Sequence, residues 1–144
     1  MKRATDTLTA DLFEVPAPAA ALPGSMGYNL AVRRLMSDAI KATPHNSAEI
    51  AARMSELTGQ SITEHQLHAW TAPSREAWRM PLEFVPAFEV AAETTVLTSW
   101  LADVRGGRLL LGRETLAAEL GRLEHQREEA ARHIKRLKKL MGAR

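Results

Sequence analysis

The sequence predicts an all-α protein, and three observations support that fold class. Apolar residues recur at three- and four-residue steps from Tyr28 onward, as on one face of a helix. No alternating apolar and polar run bounded by turns occurs in residues 26–105. Residues 113–141 carry one long heptad pattern. We therefore divide the 144 residues into a flexible N-terminal arm (1–25), a helix-turn-helix domain (26–107) and a C-terminal coiled-coil helix with a basic end (108–144).

The arm is predicted from its composition. Residues 15–24 contain three prolines and no steady apolar period, which is typical of a flexible segment. Leu8, Leu12 and Phe13 form a short apolar patch within the arm. This patch can dock on a partner as an amphipathic turn, and simple disorder is the alternative.

Two capping-box patterns mark the starts of the second and third helices of the domain. Asn46 is followed three residues later by Glu49, and Thr63 is followed by Gln66 at the same spacing. Gly59 ends the second helix because glycine accepts the left-handed conformation at a helix end. We expect the tryptophans to be packing residues, with base stacking as the alternative, because their large apolar area favours burial. The residues predicted for the core of this region include Ile50, Met54, Leu57, Leu67, Trp70, Trp78 and Trp100.

The second and third helices, Ser47 to Thr71, form a helix-turn-helix candidate. The third helix is expected to present Glu64, His65, Gln66, His68 and Ala69 outward, where glutamine can pair with adenine in a major groove. Arginines nearby are expected to contact phosphates. An ordinary helical bundle with solvated polar faces is the alternative, because residues 27–82 carry six basic and five acidic side chains. The predicted DNA-binding residues are Thr63, His65, Gln66, His68, Arg33, Arg34, Arg53, Arg75 and Arg79.

The C-terminal helix carries a narrow apolar seam whose members alternate in steps of four and three residues. Such a seam with a polar remainder is typical of a coiled coil. We expect this helix to dimerise the protein or to bind a partner helix, and a helix folded back on its own domain is the alternative. One charged residue, Arg127, interrupts the seam. Its members are Leu116, Leu120, Leu123, Arg127, Ala130, Ile134, Leu137 and Met141.

The distribution of charge along the sequence bears on the function expected of the protein. The net charge is only +2, but residues 113–144 hold nine basic and five acidic side chains, so basic character is concentrated at the C-terminal end.

The absence of cysteine excludes disulfides and thiolate metal sites. His65 and His68 have no evident third ligand, so no metal or cofactor is expected. No catalytic triad or phosphate-binding glycine loop is recognisable, and we expect no enzyme. No apolar run of eighteen residues and no signal peptide is present, so a cytoplasmic protein without a membrane span is expected.

An ordered series of motifs in residues 47–112 supports a more specific hypothesis. The series consists of the runs Ile50 to Gly59, Ile62 to Thr71, Met80 to Phe88 and Glu93 to Ala102, followed by Gly106-Gly107. It resembles the phage regulatory CII-like family and small proteins of Mu-like transposable phages. The resemblance implies a helix-turn-helix protein that binds double-stranded DNA in a bacterial host, with Thr63 to His68 on the reading helix.

The expected function is therefore regulation of phage transcription or transposition by a DNA-binding oligomer. The alternative is a non-enzymatic adaptor that recruits other phage proteins through its coiled coil and its N-terminal arm. A DNA-binding protein that neutralises several phosphates loses affinity steeply with salt, which distinguishes the two.

Overall fold

A computed structural model describes residues 16–142 and confirms the all-α class for that part of the chain. One isolated bridge between Pro18 and Arg105 is the extent of β pairing in those residues. The helices are α1 (Asn29–Ala42), α2 (Ser47–Thr58), α3 (Glu64–Thr71), a 3-10 turn (Leu82–Phe84), α4 (Val85–Ala91), α5 (Val96–Val104) and α6 (Arg113–Met141).

The chain divides into two compact units between Leu109 and Leu110, two residues after the boundary predicted between 107 and 108. The first unit contains α1 to α5. The second unit consists of α6 and the few residues that precede it, and its long helix agrees with the helical pattern predicted for residues 113–141.

The core of the first unit is built around α2. This helix packs against α3 and α4, while α1 packs against α3 and α5. Burying one large apolar side chain, such as Leu, Ile, Met or Phe, stabilises a fold by about 1.5–3 kcal/mol. The core therefore supplies much of the driving force for folding of this unit. The fully buried large side chains are Phe88, Met36, Ile50, Met54 and Leu67.

Both predicted capping boxes are confirmed. The Asn46 side chain accepts a hydrogen bond from the Glu49 N–H at 2.9 Å, and the Asn46 N–H donates to the Glu49 carboxylate at 2.8 Å. The Thr63 hydroxyl accepts from the Gln66 N–H at 3.1 Å, and the Thr63 N–H donates to Gln66 Oε1 at 2.9 Å. Gly59 ends α2 with a φ of 68°, as its residue type predicts.

Residues 16–25 are the described part of the predicted arm, and a backbone hydrogen bond joins them to the end of α5. The Ala19 N–H donates to the Val104 carbonyl at 2.9 Å. The Ser25 hydroxyl then closes a turn through the carbonyls of Ala20 and Leu22. The predicted docking patch Leu8, Leu12 and Phe13 lies outside the described residues.

Several packing predictions hold and others need correction. Trp70 is 6% exposed, as predicted, whereas Trp78 is 51% exposed because it follows the end of α3 in an irregular segment. Trp100 is half-buried and lies edge-on to the Tyr28 ring, with centroids 5.1 Å apart.

Two residues of α2 and α3 lie on faces other than those predicted. Leu57 is 44% exposed because it sits at the end of α2, where it lines an open groove with Ala87 and Val90. Ala69 was expected outward but is 2% exposed, since its side of α3 contains the buried Trp70.

Candidate nucleic-acid interface

The turn between α2 and α3 is held by hydroxyl groups near the end of α2. The Ser55 hydroxyl accepts from the Ile62 N–H at 2.9 Å and lies within hydrogen-bond distance of the Ala51 and Ile62 carbonyls. The Thr58 hydroxyl donates to the Met54 carbonyl at 2.8 Å and accepts from the Gln60 N–H at 3.2 Å. These bonds fix the direction in which α3 leaves α2. Sequence reasoning did not assign Ser55 this role, because its partner lies seven residues away.

The third helix has one buried side and one exposed side. Leu67 is fully buried and Trp70 is nearly so, which fixes the rotation of α3 against the core. His65 and His68 are exposed on the remaining surface, as predicted. Glu64 is the acidic residue of the first turn and lies 3.9 Å from the His68 ring nitrogen Nε2.

Thr63 and Gln66 form reciprocal hydrogen bonds at the start of α3. A bidentate contact with adenine uses both the oxygen and the nitrogen of a glutamine amide. Gln66 Oε1 already accepts from the Thr63 N–H at 2.9 Å, so the capped side chain has only its NH₂ group left to donate. The structure therefore places Gln66 beside the exposed histidines, with its amide NH₂ group free of the cap.

Arg33 is a structural residue, and the prediction that it contacts phosphates is wrong. It is 3% exposed, and its guanidinium donates to backbone carbonyls of the α3 end and the segment after it. Nε also donates to the Asn29 side chain at 3.0 Å. With these bonds formed, no donor remains for a phosphate. The accepting carbonyls are those of Ala69 (3.1 Å), Trp70 (3.1 Å), Ala72 (2.7 Å), Arg75 (2.6 Å) and Trp78 (2.5 Å).

The other four predicted arginines lie on the surface, and one of them joins the exposed side of α3. Arg75 Nη1 lies 3.2 Å from His65 Nε2. Arg79 is exposed and its Nε donates to the Glu76 carbonyl at 3.4 Å. Arg53 pairs with Glu56 at 2.9 Å, which reduces the charge it offers to a phosphate. Arg34 is exposed on α1.

Glu89 is a buried carboxylate that sequence reasoning missed. It is 8% exposed, and its two oxygens accept from the backbone N–H and the hydroxyl of Thr98 at 2.8 and 2.7 Å. Thr98 is in the first turn of α5, where backbone N–H groups lack helical partners and favour a negative charge. Glu89 is therefore a cap for α5 rather than a group available for chemistry.

The second unit presents the seam of α6 to solvent. No residue of α6 is buried, and the six large apolar members of the seam are 49–80% exposed. The Arg122 guanidinium donates to both oxygens of Glu119, and this contact holds the pKa of that carboxyl below its usual value. Arg132 and Glu128 form another pair on the same helix at 3.6 Å.

Neither a metal site, a membrane span nor a related protein assigns a function to the described residues. Within residues 16–142, no three His, Asp or Glu side chains gather as a metal site would require. The helices of that part of the chain include none with the length and apolar character of a membrane span. Comparison with known protein families, curated proteins and solved structures gives no significant match.

Proposed function

We propose that the protein is a DNA-binding regulator of phage transcription or transposition, which acts as an oligomer and reads a major groove with α3. The helix-turn-helix consists of α2, the turn held by Ser55 and α3. The resemblance of residues 47–112 to temperate-phage regulators supports the phage assignment.

One observation carries the proposal. The exposed side of α3 places His65 next to Arg75, at 3.2 Å, while Leu67 is fully buried on the opposite side. A helix anchored in this way offers the imidazole groups of His65 and His68 to base edges and an arginine to the backbone phosphate beside them. Arg34 is a further exposed arginine, on α1.

Selection of bound sequences from a random double-stranded library, using the purified full-length protein, tests the proposal. We expect an enriched site that is weakened by His65→Ala and His68→Ala. Each replaces an exposed side chain, so the fold should survive. Ala48→Ser, on the exposed surface of α2, is the matched control and should leave binding unchanged. Failure to enrich any site, or equal binding by all variants, contradicts the assignment of α3.

A second candidate is a non-enzymatic adaptor that recruits other phage proteins. Two observations favour it. Glu64 lies on the exposed side of α3, where a carboxylate would repel phosphates. Trp78 and Leu82 are 51% and 78% exposed, and exposed large apolar side chains of this kind suit a protein surface. Enrichment of proteins but not of DNA by the full-length chain would favour this candidate.

A further inference from the structure

We propose that two copies of the chain pair through α6 in antiparallel orientation, with Leu116 of each copy opposite Met141 of the other. The inference rests on the self-association in the proposed function and adds the orientation. It is carried by the seam's residue order and by the distribution of charge along α6.

The exposed seam requires a partner. The 29 residues of α6 span about 43 Å at 1.5 Å per residue, and none of them is buried in the single chain. Helices in proteins obtain most of their stability by packing an apolar face. Leu116 and Met141, at the two ends of the seam, are 71% and 80% exposed, so the unpartnered face extends along the whole helix.

The seam can pair with itself in reverse without losing a layer. Its steps, 4-3-4-3-4-3-4, read the same from either end. Reversal therefore sets each seam residue against a seam residue of the second copy. The antiparallel layers are Leu116 with Met141, Leu120 with Leu137, Leu123 with Ile134, and Arg127 with Ala130, each occurring twice.

The middle of the seam distinguishes the two orientations. In parallel pairing, Arg127 would face Arg127 of the partner subunit, and the two Ala130 side chains would leave a poorly filled layer. In antiparallel pairing, each Arg127 lies beside an alanine. The small methyl leaves room for the arginine stem to pack while the guanidinium reaches solvent. Antiparallel pairing therefore separates the two Arg127 guanidinium groups, and the Arg127 stem fills the space beside Ala130.

The charge along α6 favours the same orientation. The seam's midpoint falls between residues 128 and 129. Residues 113–128 contain three basic and four acidic side chains, whereas residues 129–141 contain five basic and one acidic. Parallel pairing would bring the two basic halves together. Antiparallel pairing places each basic half, net +4, against a half with net −1, so repulsion between the copies is lower.

The charges of the residues that flank the seam also favour antiparallel pairing. A parallel heptad pair sets position g of one helix near position e of the other, five residues further on. With Leu116 at position d, that rule places Glu119 near Glu124 of the partner subunit and His133 near the partner's Lys138. The first is a contact between like charges. Antiparallel pairing instead places Glu124 and the partner's Lys138, which carry opposite charges, on the same flank.

The absence of cysteine in the chain allows a direct test by disulfide cross-linking. Leu120→Cys and Leu137→Cys are made in the full-length protein, mixed under reducing conditions to exchange subunits, and then oxidised. In the antiparallel pair these two positions share a layer. Identical positions lie about 25 Å apart at 1.5 Å per residue, far beyond the roughly 7 Å limit for a disulfide. We expect cross-linked dimer from the mixture, about half of the total by random pairing, and little from either variant alone.

Controls separate orientation from association. Leu116→Cys mixed with Leu120→Cys should not cross-link, whereas Leu116→Cys mixed with Met141→Cys should, which provides a second pair if one substitution weakens the dimer. Sedimentation of each reduced variant reports association independently. Cross-linking of Leu120→Cys by itself would establish parallel pairing and overturn the inference, while leaving the proposed oligomer intact. Monomeric full-length protein at micromolar concentration would overturn both the orientation and the self-association.

Discussion

Arg33 allows the structural and DNA-binding interpretations to be separated in one variant. Arg33→Met keeps most of the buried stem and removes the guanidinium that donates to five backbone carbonyls. Two of these bonds, to Ala69 and Trp70, are buried. Hydrogen bonds to a charged group contribute about 1.5–3 kcal/mol each, so these two alone account for about 3–6 kcal/mol.

A loss of that size is comparable to the whole stability of a small unit, which is typically about 5–15 kcal/mol. Arg33→Met should therefore lower the denaturant midpoint steeply, as followed by tryptophan fluorescence, since all three tryptophans lie in the first unit. The denaturant midpoint of Arg33→Lys should lie between those of the unaltered protein and Arg33→Met, because an ammonium has three donors and cannot bond to five carbonyls. Arg34→Met, at the exposed neighbouring position, is the control and should change stability by less than about 0.5 kcal/mol. An unchanged midpoint in Arg33→Met together with weaker DNA binding would refute the structural role and restore the phosphate contact.

Substitutions at two glycines, two tryptophans and the seam arginine test other contacts of the fold and of α6. Gly59→Ala should lower the free energy of unfolding by about 1–2 kcal/mol in thermal melts, because φ is 68° there, and Gly59→Asn should lower it less. Gly106→Ala should release the N-terminal segment to proteolysis, because its Cβ would lie 2.6 Å from the Pro18 nitrogen; unchanged cleavage would argue against that contact. Trp70→Ala should cost about 3–5 kcal/mol and the exposed Trp78→Ala less than about 1 kcal/mol, so equal losses would contradict the burial described. Arg127→Leu should tighten self-association about tenfold in sedimentation, and weaker association would show that the charge is needed.

Local sequence signals predicted most of the helices. The two capping boxes and Gly59 act over three or four residues, so their spacing alone fixes where α2 and α3 begin and where α2 ends. The apolar steps likewise placed Leu67 and Trp70 inward. These features depend on neighbours along the chain, which a sequence displays directly.

The errors arise where distant residues meet. Arg33 bonds to carbonyls 36 to 45 residues away, and no local pattern distinguishes it from the exposed Arg34. The burial of Glu89 is explained only by Thr98 on the next helix. Trp78 was expected in the core on hydrophobicity, yet it follows α3 in a segment whose carbonyls turn toward Arg33.

The exposure of His65 and His68 on α3 was predictable from the sequence, and so was the constraint on Gln66. The spacing that predicts a capping box at Thr63 commits the Gln66 oxygen to a backbone N–H. The amide NH₂ group of Gln66 stays available to a base edge while that bond is formed. Arg75 joins His65 through the irregular segment after α3, a path that periodicity does not reveal.

The salt dependence of DNA binding tests the central proposal most directly. Anisotropy titrations of the full-length protein with a selected duplex, at several salt concentrations, give the slope of log affinity against log salt. The proposal predicts a steep negative slope, since each neutralised phosphate contributes about −0.9, and Arg75→Ala should reduce its magnitude by about 1. Arg53→Ala, which removes an arginine already paired with Glu56, should change the slope less. Absence of binding, or a slope near zero in the unaltered protein, would contradict the DNA-binding function.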